Sequence, residues 1–497
     1  MLSVVVFLPL AVAAVVLAVP ALRGRAALGA WIAAASADLV LVAIMWIGYR
    51  GGLGYETRLR WIPTLNAGYH VGVDGLSLPL MALTAVLYLL CAIYSLRETT
   101  RVRAYAALFL FLETASLGLF AAQDLLLFFV FFDLSIVGMY FVIAGWGHGE
   151  RARSALKFFL YTFVGSLALL LGFIGLYLGG EPHTFDLVDL TRKPPFAAAP
   201  GAAALVLLAV AAGLAVKTPT FPVHTWLPPA HTDAPAAGSA ILAGILLKMG
   251  TYGFARVAMP VLPGAWQRYA WVVVAVGLVS VLYGALVALA QENLKRLIAY
   301  TSVNHMGYIV LALGAAGAAG GATGARELAV TGAVTQMVSH GLVTGALFLL
   351  SGVFWDRARA YDLGRYGGVA ERAPVFARLT AVAAFASLGL PGLSGFIAEF
   401  QIFAGVIGTG LTGAVVAGAL AVLGILITAA LFLRLLHRVF LGRPGELTPL
   451  VSDVRGHELG AIAPLLVLSV LVGVVPRPLL ALIEPASAAI VSFLTGR

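Results

Sequence analysis

The sequence predicts an all-α polytopic membrane protein of about 14 transmembrane helices, two of them discontinuous. Three observations predict it. Of 497 residues, 61% are hydrophobic and only 11% charged, where a soluble domain carries roughly a quarter charged. Apolar runs of bilayer-crossing length recur from end to end. Proline and glycine interrupt two of those runs at corresponding places.

In order, the spans are expected at 2–22, 27–48, 74–96, 104–122, 124–146, 154–179 and 201–230. They continue at 235–258, 266–290, 297–319, 326–354, 376–407, 412–436 and 459–476. Gly, Pro and charge clusters set the boundaries. The first run has no basic residue before it and is long for a signal-peptide core, so it reads as a retained helix. Gly314–Gly324, "GAAGAAGGATG", reads as a helix end and flexible turn. The stretch 478–494 is short and proline-flanked, which suits the membrane interface.

Charge placement sets the expected topology. With the N-terminus outside, the inside connectors 23–25, 97–103, 147–157, 291–296, 355–378 and 434–457 hold 19 of the 31 lysines and arginines. Outside connectors and ends hold 10. This bias places both termini outside. The net charge of +9 is therefore a topology signal, not a nucleic-acid surface.

Several chemistries are excluded. Cys91 is the single cysteine, so intrachain disulfides, iron–sulfur clusters and cysteine zinc sites are out. There is no GxxxxGK[ST] run, and "GTGLTG" (Gly408–Gly413) joins two apolar runs without a preceding strand, so it is a turn rather than a dinucleotide fingerprint.

Span 7 is broken in "VKTPTFPVHTWLPPAH" by Pro219, Pro222, Pro228 and Pro229; span 12 is broken at "LPGLSGF", Leu390 to Phe396. Grouping spans 4–8 and 9–13 makes each broken helix the fourth of five, and five being odd, the groups are inverted. The segments expected are an N-terminal three-helix part (1–103), repeat 1 (104–258), repeat 2 (259–438) and a final helix with tail (439–497). Two ordinary proline kinks are the plainer alternative.

Ionisable groups inside spans each cost about 2.5–3.5 kcal/mol. They are Glu113, Asp133, Lys217, Lys248, His305, His340 and Glu399. Together they would cost roughly 15–25 kcal/mol facing lipid, more than a fold's usual net stability, so they are expected to face inward. Proline removes the amide donor, freeing carbonyls near 215–218, which favours a small hydrated pocket beside Lys217. Burial favours a neutral amine and a nearby acid the ammonium, so a movable partner, Asp133, would switch Lys217. Imidazoles pass protons both ways, so His305 and His340 suit a relay, though singly each reads as a satisfied core histidine. Lys248 also reads as a helix-pairing lysine. Glu399 follows the second break. Glu113 is even between relay and structural pairing. His224 and His231 also read as caps for freed backbone groups.

"VKTPTFPVHTWLPPAHTDAPAAGSAILAGILLKMGTYGFARV", "QENLKRLIAYTSVNHMGY", "TQMVSHGLVTGALFLLSGV" and "LGLPGLSGFIAEF" resemble the antiporter-like subunits of respiratory complex I, the NADH–quinone oxidoreductase of bacteria, over roughly residues 70–440. With no room after residue 476 for a long lateral helix, the chain resembles the M-type branch more than the L-type. The resemblance implies 14 core helices with two inverted five-helix repeats, a bacterial inner-membrane location, and one proton-pumping module driven by quinone reduction elsewhere. Flavin, iron–sulfur clusters and quinone would then belong to partner subunits, with no cofactor or metal in this chain. The partners implied include L-type and N-type antiporter-like chains.

Residue by residue, Lys217 matches the broken-helix lysine and Lys248 the central lysine. His305 and His340 match relay histidines, Glu399 the exit acid and Glu113 a secondary acid. One position departs: "FFD" puts Asp133 where the family usually has glutamate, shorter by about 1.5 Å, which puts a direct salt bridge to Lys217 in question. The other function weighed is a multisubunit cation/proton antiporter subunit or the equivalent module of a membrane-bound hydrogenase. A passive scaffold would not need these buried charges.

Overall fold

In the computed structural model, which describes residues 1–496, helices dominate. An apolar chain of this kind must satisfy its backbone internally, and a helix does so within each run. Among the described residues, thirteen helices are long and apolar enough to cross a membrane. Leu2–Ala18 and the two halves of span 12, Pro374–Ser387 and Ser394–Gly408, are shorter apolar helices. Polar caps start several runs: Asp124 accepts from the amides of Leu126 and Leu127, and Asn293 from that of Arg296.

The connectors define two faces. On one, Gly54–Ile62 pairs antiparallel with Ala67–Val73, Arg58 opposite His70. This hairpin, unforeseen in the 50–73 connector, joins the otherwise helical fold. It is pinned by His70, whose Nδ1 and Nε2 lie 2.7 Å from Asp186 and 2.9 Å from Glu56. Burial opposes the imidazolium, but these two carboxylates prevail and hold His70 above its ordinary value. Asp186 is held below its own: burial works against this, and His70 outweighs it.

The N-terminus sits on the hairpin face, through Tyr69 Oη and Ser3 Oγ at 2.9 Å. So does the final helix, Arg477–Thr495. Its residues Ala486, Ala489, Ile490 and Phe493 line a cavity with Asp74, Leu187, Arg256 and Pro260. The carbonyl of Leu494 accepts from Gln267. The helix therefore lies along that face, in keeping with the interfacial reading of 478–494, and both termini share one side. Setting it aside and adding Leu2–Ala18 and span 12 leaves 14 crossings.

The opposite face is tied by Arg357 and Glu458, bidentate at 2.5 and 2.7 Å, and by the Asn293–Asp362 bridge. Span 7 runs from the hairpin face, where His183 meets Asn66, to the opposite face, where the Asp233 carbonyl meets the His148 amide. Span 12 runs the other way, from Asp453 at Phe376 to Thr409 at Ala322. The two broken helices cross in opposite senses, as inversion requires.

Small residues let helices approach closely. A Cβ at Gly277 or Gly307 would run into the facing backbone of Leu311 or Val281, so spans 9 and 10 pack backbone to backbone. Spans 8, 10 and 11 are buried nearly throughout. They form the centre, and they carry Lys248, His305 and His340. Span 8 contains two π turns, Leu242–Leu246 and Phe254–Ala258, and span 11 extends over Thr323–Ala358. Neither feature was expected from the sequence.

Candidate functional site: a buried row of titratable side chains

The first break forms because Pro219 and Pro222 offer no amide proton. Helix Pro200–Lys217 stops, turns occupy 218–226, and Leu227–Asp233 resumes. The freed carbonyls find protein donors: Trp226 Nε1 bonds the Val216 oxygen at 3.0 Å and the Thr220 amide the Ala215 oxygen at 3.1 Å. Side chain and backbone thus take up carbonyls that the sequence reading assigned to a hydrated pocket.

Lys217, the last residue of that helix, is 1% exposed. Its Nζ donates to Ser135 Oγ at 2.8 Å and stands 4.7 Å over the Phe132 ring. Asp133 is half-buried, one oxygen has no hydrogen-bond partner, and neither lies within 4.0 Å of the ammonium. The direct Asp133–Lys217 salt bridge is therefore absent. A hydroxyl two residues along the same helix stands in for the shortened acid.

The centre is more continuous. The π turn at Leu242–Leu246 displaces the helical register, and the Ala243 carbonyl accepts from Lys248 Nζ at 2.6 Å. The same Nζ meets His340 Nδ1 at 2.5 Å. An ammonium donating to Nδ1 leaves the ring proton on Nε2, which has no partner. The rings of His340 and His305 are 5.5 Å apart. His305 Nε2 lies 3.1 Å from Ser387 Oγ, and Nδ1 lies 3.0 Å from Gln336 Nε2 and 3.7 Å from Glu399 Oε1.

The second break builds this end of the row. Ser387 closes one half-helix, Ser394 opens the next, and Glu399 sits just beyond. Gly389, at φ +74°, lies against the Glu399 carboxylate and leaves no space for a Cβ. His305, His340, Ser387, Gly395 and Glu399 line a cavity of about 10 Å³, room for about one water. Solvent space thus appears at the second break.

Two expected residues stand apart. Glu113 is wholly buried with both oxygens unpartnered. His224 packs among Phe221, Tyr283 and Tyr300, and its Nδ1 has no partner. Neither joins the row by a hydrogen bond.

Sequence reasoning also missed residues. Asp38, in the apolar run "ASADLVLVAI", is as buried and unpartnered as Glu113; the charge-in-a-span criterion could have found it. Trp31, one heptad earlier, packs against Phe109, on the helix that carries Glu113, with ring centres 4.8 Å apart. Lys295, counted as a connector charge, is 0% exposed. Ser135, Gln336 and Ser387 carry no signal a sequence could show, because their importance lies in what they touch.

Residues 122–427 match the family model described as NADH:quinone oxidoreductase/Mrp antiporter, TM. NADH-quinone oxidoreductase subunit M of Rickettsia prowazekii is 36% identical over 96% of each chain. Among solved structures, a chain of respiratory complex I from Thermus thermophilus with bound NADH superposes with a TM-score of 0.89 at 31% identity, covering 99% of this chain and 100% of that one. A chain of the Mrp complex from a Dietzia species gives 0.84 at 23% identity, covering 100% and 97%, a likeness of fold.

Proposed function

The chain belongs to the NADH:quinone oxidoreductase/Mrp antiporter membrane family, and from that premise we propose how its buried side chains move protons. It is a proton-translocating subunit of a complex I-type membrane arm, one component of a multisubunit membrane complex. Our reading gives Asp133 and Lys217 the proton-uptake end, Lys248, His340 and His305 the lateral passage, and Glu399 the exit. Glu113 and His224 serve as secondary groups.

The observation that carries this reading is the buried Lys248–His340–His305–Glu399 row: Lys248 Nζ lies 2.5 Å from His340 Nδ1, the two imidazole centres are 5.5 Å apart, and His305 Nδ1 is 3.7 Å from Glu399 Oε1. An imidazole takes a proton on one nitrogen and releases it from the other. A lysine that neutralises when its acid partner withdraws gives the row a direction. Lys217 makes no direct contact with Asp133, so its gate works across a gap that a bridging water would span.

The basic residues concentrate on the face opposite the hairpin, which supports the hairpin face and both termini as periplasmic in a bacterial inner membrane. The second half of span 12 then leads from Glu399 outward. The two five-helix groups, 104–258 and 259–438, act as inverted repeats. Electron transfer belongs to other subunits, where flavin, iron–sulfur clusters and quinone bind, and L-type and N-type chains are the neighbours.

The test replaces Lys217 or Lys248 by alanine in the whole complex. Proton pumping should be lost while the complex still assembles. Pumping at the parent level in both variants would overturn the assignment.

A further inference from the structure

Gln336 lies one helical turn before His340 on span 11 and meets His305 with its amide nitrogen, 3.0 Å from Nδ1. An amide NH2 only donates, so Nδ1 is the acceptor, and the proton of the neutral ring sits on Nε2. From there it is donated to Ser387 Oγ at 3.1 Å, at the edge of the second break. The nitrogen left basic is therefore Nδ1, the one 3.7 Å from Glu399 Oε1. Gln336 covers it.

The other end of the carboxamide is free. Gln336 is 2% exposed and its Oε1 has no partner, which costs about 1–3 kcal/mol. A methionine would fill the same place without that cost. The last torsion of glutamine is broad and nearly twofold, and turning it over exchanges two atoms of similar size, so no new space is needed. With Oε1 turned to His305, an Nδ1–H finds an acceptor. Gln336, His305, His340 and Glu399 together line the small cavity at this end of the row. The carboxamide sits where the two imidazoles and the exit acid meet.

We propose that Gln336 is a positioning residue that works as the valve between His305 and Glu399. With its amide nitrogen on Nδ1 it masks the basic site and stops a proton returning from Glu399. A proton arriving from the His340 side binds Nδ1 only as the carboxamide turns and Oε1 accepts the new N–H. Nδ1 then passes that proton to Glu399, the ring is neutral again with its proton on Nε2, and the amide swings back. One proton is gained and one lost per cycle, both at Nδ1. The inference rests on the proton-translocation reading above.

The test uses the whole complex in inverted membrane vesicles, with pumping read as membrane potential and electron transfer as NADH oxidation, over a range of pH. Gln336→Met keeps the length of the side chain and removes both ends of the valve. It should assemble and lose pumping several-fold per NADH oxidised at every pH. Gln336→Glu separates a valve from a filler. A protonated carboxyl offers a donor and an acceptor, as the amide does, whereas a carboxylate only accepts and cannot mask Nδ1. Pumping by this variant, relative to the parent at the same pH, should exceed that of the methionine variant at the acid end and hold or fall as pH rises. Parent-level pumping by the methionine variant, a glutamate variant no better than it at the acid end, or a glutamate variant that improves with rising pH overturns the proposal. Lys217→Ala, run in parallel, separates the two readings. If it pumps normally, proton translocation by this chain has failed; if it is inactive while Gln336→Met pumps normally, only the valve has failed.

Discussion

Asp133→Glu lengthens the acid by one methylene, about 1.5 Å of reach. Lys217 holds Ser135 Oγ at 2.8 Å, and Asp133 is outside 4.0 Å with an unpartnered oxygen. At an effective dielectric near 20, a carboxylate that approaches an ammonium by about 1.5 Å in the range of about 4–6 Å gains roughly 1 kcal/mol of attraction. That is about fivefold in the equilibrium between engaged and released partners. The glutamate variant should therefore pump within about fivefold of the parent, its Lys217 drawn from Ser135 toward the acid. Asp133→Ala should lose pumping, since a hydroxyl cannot hold the counter-charge. The assay is membrane potential per NADH oxidised by the assembled complex. Parent-level pumping by the alanine variant, or an assembled but inactive glutamate variant, refutes the argument.

Gly389→Ala places a Cβ in left-handed backbone, at a cost of about 1–2 kcal/mol, and against the Glu399 carboxylate. Pumping should fall, and the shorter Glu399→Asp in the same chain should restore part of it. Glu458→Ala strands the Arg357 guanidinium at a buried pair and should cost about 3–5 kcal/mol, read as a lower thermal midpoint for this chain in the complex. The His70 contacts raise that imidazole and lower Asp186. The His70 contribution is full below about pH 6.5 and is lost as pH rises through the higher folded value; the Asp186 contribution is present above about pH 4 and is lost as acid protonates it. Hairpin amides should show their largest protection factors, exchange being referred to the intrinsic rate at each pH, between those limits, and His70→Gln should remove the alkaline limb.

The sequence by itself determined the bundle, the two breaks and most of the row. Charges such as Lys248 or Glu399 are expensive in hydrocarbon, and proline cannot continue a helix, so both leave marks that one chain displays. It did not determine who touches whom. Asp133 was the evident partner for Lys217, yet side-chain reach across a helix interface gave the contact to Ser135. Freed carbonyls at Pro219 promised water, and the Trp226 indole, folded back from ten residues on, took one of them. The hairpin's short segments carry no strong period between longer apolar runs, and its register appears only when His70 meets Asp186, 116 residues away. Lys295 read as a connector charge because hydropathy counts residues along the chain, whereas burial is set by Tyr361 and Ala234 closing over it. Composition decides which groups must be sheltered; packing across distant segments decides beside what.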